Sequence, residues 1–215
     1  MPVPLSPRNA NRDGPNALTR CTARMSADFP IETPRLLLRP FEDGDFEPFH
    51  AIHSREDVTR YLDWGPRSRD DVHAMLDRIK GMTALDDRGD ALRLAALLRG
   101  DGTLIGDFSI WRTSREYREG EIGFVMHPAY HGHGYATEAS TMMLRLGFER
   151  LGFHRIVGRC DARNTASASL MERLGMRREA HFRQNEFIKG EWTDQLVFAI
   201  LGTEWTRSRA GAEAG

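Results

Sequence analysis

Between residues 31 and 201 the apolar positions change period several times, and each change marks an element. "RLLLRP" at 35–40 is a short apolar run closed by Pro40 and predicts a first strand. "GDFEPFHAIHS" spaces its apolar residues at helical intervals. In "SRDDVHAMLDRIKGM", Ser68 stands three residues before Asp71, so the two residues can cap one another's backbone N–H groups. Val72, Met75, Leu76 and Ile79 then share one face, which predicts an amphipathic helix. Two apolar runs around "RGDG" in "LRLAALLRGDGTLIGDFSIW" predict a hairpin, and "EGEIGFVM" adds a strand after the polar stretch 112–118. A glycine bend follows. After it come a helix over about 136–150, a strand "RIVGRC", a helix "TASASLMERLG" and two extended runs around "KGEWTD".

A strand, helix and strand in succession require a parallel pair, whereas the hairpins before and after require antiparallel ones. The expected architecture is α/β: one domain over residues 29–205, with a mixed, mostly antiparallel sheet of about seven strands and helices on both faces. Pro2, Pro4, Pro7 and Pro15, with hardly any apolar periodicity, make residues 1–28 an expected disordered tail, and Met25 is the candidate for the native start. Residues 206–215 are expected to form a flexible C-terminal tail.

Composition narrows the function. The chain has 215 residues, 40% of them hydrophobic, enough for a substantial core. Its mean hydropathy is −0.51. The longest apolar runs, such as "LVFAIL" at 196–201, fall far short of the ~20 residues a bilayer span needs, so no membrane role is expected. Thirty Lys and Arg against thirty-one Asp and Glu, interspersed, leave no basic footprint for nucleic acid. Cys21 and Cys160 are the only cysteines; they fit neither a disulfide framework nor a zinc knuckle, and a reducing cytoplasm is the expected location.

The chemistry concentrates in "YHGHGYATEA", residues 130–139, where a strand passes through two glycines into a helix. A helix N-terminus presents unpaired N–H groups and partial positive charge, so an anion is the natural occupant. Glycines at 132 and 134 would let the main chain approach it, with the amides of about 131–137 cradling phosphates. A tight turn is the plain structural alternative. The Walker pattern fails because the segment holds no Lys, and the dinucleotide fingerprint fails because Thr137 stands where its third glycine should be. His127, His131 and His133 cluster within seven residues, but on an irregular loop without a nearby cysteine, and no metal is expected.

"HGHGYA" resembles the [RQ]-x-x-G-x-[GA] motif of the GNAT acetyltransferases, with His131 in the Arg/Gln place. "TPRLLLRPFEDGD", "EIGFVMHPAYHGHGYATEA", "NTASASLMERLGM" and "FRQNEFIKGEWTDQLVFAI" follow in the order of the branch that contains the Rim-type ribosomal-protein N-acetyltransferases, over about residues 31–201. The resemblance implies acetyl-CoA as cofactor. Its pyrophosphate would lie on His131, Gly132, His133, Gly134, Tyr135, Ala136 and Thr137, its pantetheine along Phe124 to Met126, and Asn164 would help to hold it.

For acetyl transfer the resemblance offers two bases, Glu186 in "QNEF" and Glu121 at the head of the strand before the loop. The family's usual acid, a tyrosine seven residues after Asn164, is replaced here by Met171, which has no proton to give. Ser167 is then the group expected to stabilise the departing thiolate, helped by the modest basicity of a thiolate whose acid has a pKa of ~8.5. The expected activity is direct attack of an amine in a ternary complex, Cys160 being the only conceivable covalent carrier. The Rim-type resemblance implies a protein or peptide N-terminal α-amino group as acceptor, and the cost of neutralising one at pH 7, about 1.4 kcal/mol against about 4.6 for a lysine, agrees with it. A small amine such as an aminoglycoside or polyamine, and a non-catalytic acyl-CoA-sensing module, are the alternatives. "YLDWGP" and "KGEW", with Trp64 and Trp192, are candidate walls of the acceptor pocket, and a homodimer is an open assembly.

Overall fold

The computed structural model describes residues 29–86 and 89–213. The residues expected as an N-terminal tail, with Cys21 and Met25, lie outside that description. Strands β1 (Ile31–Glu32) and β2 (Leu36–Arg39) lead into helices α1 (Phe46–His53), α2 (Glu56–Thr59) and α3 (Arg69–Ile79). A meander of β3 (Thr83–Asp86), β4 (Gly89–Leu98), β5 (Leu104–Ser114) and β6 (Glu119–Met126) follows. Helix α4 (Tyr135–Arg145), β7 (Arg155–Asp161), α5 (Thr165–Arg173), β8 (Arg177–Ile188), β9 (Glu191–Leu201) and α6 (Gly202–Glu213) complete the chain. The strands form one nine-stranded sheet in the order β1-β2-β4-β5-β6-β7-β9-β8, with β3 also on β4. Every pairing is antiparallel except β6 with β7.

Side chains of a strand alternate between the faces, and β4 shows what each face meets. Leu92, Leu94 and Ala96 join the cluster that contains Met143 and Leu144 of α4 and Leu170 and Met171 of α5. Ala95 and Leu97 point the other way, to Phe49 and Ile52 of α1 and to Val72, Met75, Leu76 and Ile79 of α3. Each large aliphatic or aromatic side chain so buried stabilises the fold by about 1.5–3 kcal/mol. The reciprocal cap expected of Ser68 and Asp71 forms at the start of α3.

The α/β architecture, the mostly antiparallel sheet and the helices on both faces are as expected. The strands beyond the expected seven are β1, two residues long, and β3, whose "DDRGD" surroundings carry no apolar run. The helix expected over 136–150 is α-helical only to Arg145. It then widens into a π turn over Leu146–Arg150, where Leu151 N–H donates to Leu146 O at 2.9 Å. Residues 206–213, expected as a tail, instead continue α6, which Trp205 anchors against Phe148. Among the described residues no helix is long and apolar enough to cross a membrane.

The parallel seam is short. β6 and β7 pair only from Glu119↔Arg155 to Ile122↔Gly158, yet β6 runs on to Met126 and β7 to Asp161. Beyond Ile122 the two strands part, and the sheet opens a gap beside the glycine bend.

Candidate active site

On the α4/α5 side of the sheet the bend passes through Gly132 and Gly134, both at φ +79°. This is the left-handed region, which costs an L side chain about 1–2 kcal/mol, so conformation is the first reason for glycine here. Within the protein, close approach is a reason at Gly134 alone: a Cβ there would meet Arg35 Nη2 at 3.3 Å, whereas one on Gly132 would meet no protein atom within 4 Å. Gly134 is the N-cap of α4 and supplies no side-chain cap, which leaves the helix-end amides open. Around them lies a cleft of about 580 Å³ lined by Arg35, Met126, Gly132, Gly134, Ala136, Thr137, Glu138 and Arg173.

The cleft leads to the gap. His127 N–H donates to Ile105 O of the β5 side, and because backbone groups alternate along a strand, those of Phe124 and Met126 point away from β5, toward the space β7 has left. His131 Nε2 donates to Met126 O at 3.2 Å, so its ring stands at the mouth of that space. His127 Nδ1 accepts from Ala129 N–H, and His133 Nδ1 donates to His131 O while its ring stacks on Tyr135. The three histidines thus turn to backbone partners, not to a common point.

On the opposite face four polar residues cross the sheet in a row. Glu121 of β6 accepts from Arg159 Nε of β7 at 3.1 Å, and Gln195 Nε2 of β9 donates to Glu186 Oε1 of β8 at 2.7 Å. Register puts them together: Arg159 pairs with Val197 and Glu186 with Thr193, so all point to the face of Val157 and Val197, the one that carries α1 and α3. Burial pushes the Glu121 carboxyl up, and the Arg159 guanidinium offsets only part of this.

Glu186 owes its place to a break in the β8–β9 ladder between Phe182 and Glu186, where Gln184 takes φ +47°. A bulge re-aims the side chain that follows it. Asp194 fixes this one: its carboxylate accepts from Gln184 N–H and from His181 Nε2, both at 2.9 Å. The Asp194 carbonyl accepts from Ala162 N–H, which ties the bulge to the β7–α5 loop. Asp194 was not singled out from sequence; a lone Asp in a strand pattern carries no signal of its own.

Ser167 and Asn164 lie at the start of α5, and the structure gives them a local task. Asn164 is the N-cap, its Oδ1 accepting from Ser167 N–H at 3.1 Å. No hydrogen bond joins Ser167 to either glutamate. Met171, in the family tyrosine's position, is buried, with its sulfur 2.5 Å from where a Cβ on Gly158 would stand.

The candidate walls of an acceptor pocket do approach one another. Lys189 Nζ in the β8–β9 turn donates to Thr59 O at 2.6 Å, and Arg163, bonded to Glu191, lies 5.9 Å from the Tyr61 ring centroid. Trp192 is 61% exposed and meets Phe187 edge-on, whereas Trp64 is half-buried between His53 and Arg67.

A split parallel seam, a helix N-terminus open on one face and carboxylates on the other meet at one gap, and the open helix end suits an anionic ligand. The sequence model of the acetyltransferase (GNAT) domain matches residues 35–177, and the chain belongs to the GNAT acetyltransferase family. It is 34% identical over 175 residues to the uncharacterized N-acetyltransferase YnaD of Bacillus subtilis, covering 81% of this chain and 98% of that one. The [ribosomal protein uS5]-alanine N-acetyltransferase of Escherichia coli is 28% identical over 88 residues, 41% of this chain and 45% of that protein. Among solved structures, a GNAT-family acetyltransferase from Bacillus anthracis superposes with a TM-score of 0.73 at 32% identity, over 81% of this chain and 99% of that one. The spermidine N-acetyltransferase of Vibrio cholerae, solved with CoA and spermine, shares the fold at TM-score 0.69 and 22% identity, over 81% and 99% of the two chains. The family uses acetyl-CoA, and the open amides of the bend, the cleft and the gap fit a phosphate-bearing thioester.

Proposed function

We propose that this acetyltransferase acts on a single α-amino group, at the N-terminus of a protein or peptide, by direct attack in a ternary complex. The observation that carries the reading is the pairing of carboxylates on the acceptor face. Glu121 is held by Arg159, and Asp161 and Glu191 are held by Arg163. Glu186 alone among these four is held by a neutral amide, that of Gln195. One carboxylate without a cation suits one ammonium; a polyamine would bring several positive charges against Arg159 and Arg163. The acceptor named for the uS5 relative supports the same class.

When bound, acetyl-CoA supplies an acetyl group already activated as a thioester. The amides at the start of α4 would hold its phosphates, and the edge of β6 at Phe124 and Met126 would hold its pantetheine arm. Glu186 accepts the proton that the acceptor's ammonium gives up, which frees the nitrogen lone pair for attack. The Ser167 hydroxyl would donate a hydrogen bond to the sulfur as its bond to the acetyl carbon breaks, and the second proton of the attacking nitrogen would go to the released thiolate. Glu121 and Arg159, at the head of the gap, fix the charge distribution between the two sides.

Thiol release from acetyl-CoA, measured against peptides with free Ala, Ser or Met N-termini and against polyamines and aminoglycosides, tests the acceptor class. Release with peptides is expected; release with polyamines alone moves the reading to the second class, represented by the spermidine enzyme. Glu186→Gln should lower kcat about 10²–10⁴-fold, and Ser167→Ala about 10–100-fold with little change in the KM for acetyl-CoA. Full activity in Glu186→Gln removes its role as base.

A further inference from the structure

We propose that Arg35, about a hundred residues upstream of the bend, is the positioning residue that keeps the phosphate-binding end of α4 receptive to an anion. This rests on the cofactor reading of that loop and assigns a task to residues outside it. The difficulty that Arg35 resolves is Glu138. This carboxylate sits in the first turn of α4 and lines the same cleft as Gly132, Gly134 and Thr137. A carboxylate there draws on the same helix-end field as a bound phosphate, and repels it.

The structure turns Glu138 onto the chain between β1 and β2. Its Oε1 accepts from Thr33 Oγ1 at 2.5 Å and from Arg35 N–H at 2.8 Å, and its Oε2 from Arg35 Nε at 2.7 Å. Arg35 therefore neutralises the charge and supplies two of the three bonds that hold it, Thr33 supplying the third. The remaining edge of the guanidinium grips the bend itself. Nη1 donates to His133 O at 2.8 Å, the group lies over the Tyr135 ring at 4.7 Å, and Nη2 faces Gly134. A trans peptide is planar, so fixing the His133 carbonyl on Arg35 fixes the Gly134 N–H in the opposite sense. Residues 127–137 contain neither Lys nor Arg, and the cations that line the cleft, Arg35 and Arg173, come from elsewhere in the chain.

The test is equilibrium binding of CoA by titration calorimetry to the full chain and to R35A, R35K, E138Q and R35A/E138Q, with thermal melts as a control for folding. Arg35→Ala should weaken CoA at least tenfold, and Arg35→Lys, which keeps the charge but not the fork, by less. Glu138→Gln alone should change affinity little. The double variant should regain most of what R35A loses, because the carboxylate left uncompensated is gone. A merely structural Arg35 predicts the reverse, a double variant no better than R35A. Competition by inorganic pyrophosphate should follow the same ranking. CoA affinity in R35A within twofold of wild type, or no recovery in the double variant, overturns the proposal. If R35A does not fold, R35K against R35K/E138Q decides on the same criterion. Wild-type protein that binds no CoA refutes the cofactor reading itself, a result distinct from CoA binding that ignores Arg35.

Discussion

Cys160 stands on β7 two residues past the end of the parallel seam, where an acyl-carrying thiol would have to be. Burial, reinforced by Asp161, pushes that thiol up to about 11, so near neutral pH it is protonated and a poor nucleophile. Cys160→Ala should stay within about twofold of wild type, and labelled acetyl-CoA without acceptor should leave no acyl-enzyme in mass spectra. Glu121 carries the opposite lesson. A carboxyl with a raised folded-state pKa binds its proton more tightly folded than unfolded, so its effect on stability becomes less favourable as pH rises through the carboxylate range. Glu121→Gln should therefore gain thermal stability relative to wild type at pH 7 and lose that advantage below pH 4. An unchanged difference between the two pH values would remove the titration from the explanation.

The bend at 130–139 shows how much of an element a few residues can make legible. Two glycines before a good helix former located the loop, and the structure supports that placement through two positive φ values and an uncapped helix end. From sequence, room for a ligand and a tight turn both explain the glycines; within the protein a Cβ on Gly132 has room, and the left-handed backbone is what constrains that position. Gly132→Asn should thus cost about 1 kcal/mol less than Gly132→Val in chemical denaturation, since Asn tolerates the left-handed region. Equal costs would point to a steric cause.

Other elements were hidden for physical reasons. The bulge that aims Glu186 depends on a cross-strand partner, Asp194, ten residues from Gln184, and no local period encodes it. The Arg35–Glu138 pair spans 103 residues, beyond the reach of any periodicity. By contrast α3, with its cap and apolar stripe, and the β8–β9 hairpin, whose Lys189 and Gly190 both take positive φ, were readable because each is encoded within its own few residues.

At the scale of the molecule, the α1/α3 face carries a buried charge. Asp107 of β5 accepts from Arg93 Nε of β4 at 2.7 Å, with His53 Nε2 of α1 at 3.3 Å. Burial alone would push this carboxyl up, but the charge and hydrogen bonds of Arg93, with the nearby His53 ring, hold it at about 2. A depressed folded-state pKa stabilises above the unfolded value and loses that contribution as pH falls toward 2, an effect on the order of 2 kcal/mol. Asp107→Asn should destabilise the protein by about 3–5 kcal/mol at pH 7, because Arg93 is left without its partner. In urea titrations the deficit should shrink between pH 4 and pH 2; a constant deficit would assign the loss to packing.

The four-residue seam between β6 and β7 also divides the molecule along the order of its chain. β1 to β6 form one half-sheet and β7 to β9 the other, each contiguous in sequence, and α4 crosses between them. Each half closes mainly through hairpins, contacts that a growing chain reaches early. The candidate site cannot exist before the seam joins: the amide end of α4 belongs to one half and Glu186 to the other. Assembly of the halves and assembly of the catalytic gap are one event, so a nascent or partly unfolded chain has no half-built acetyltransferase to misuse.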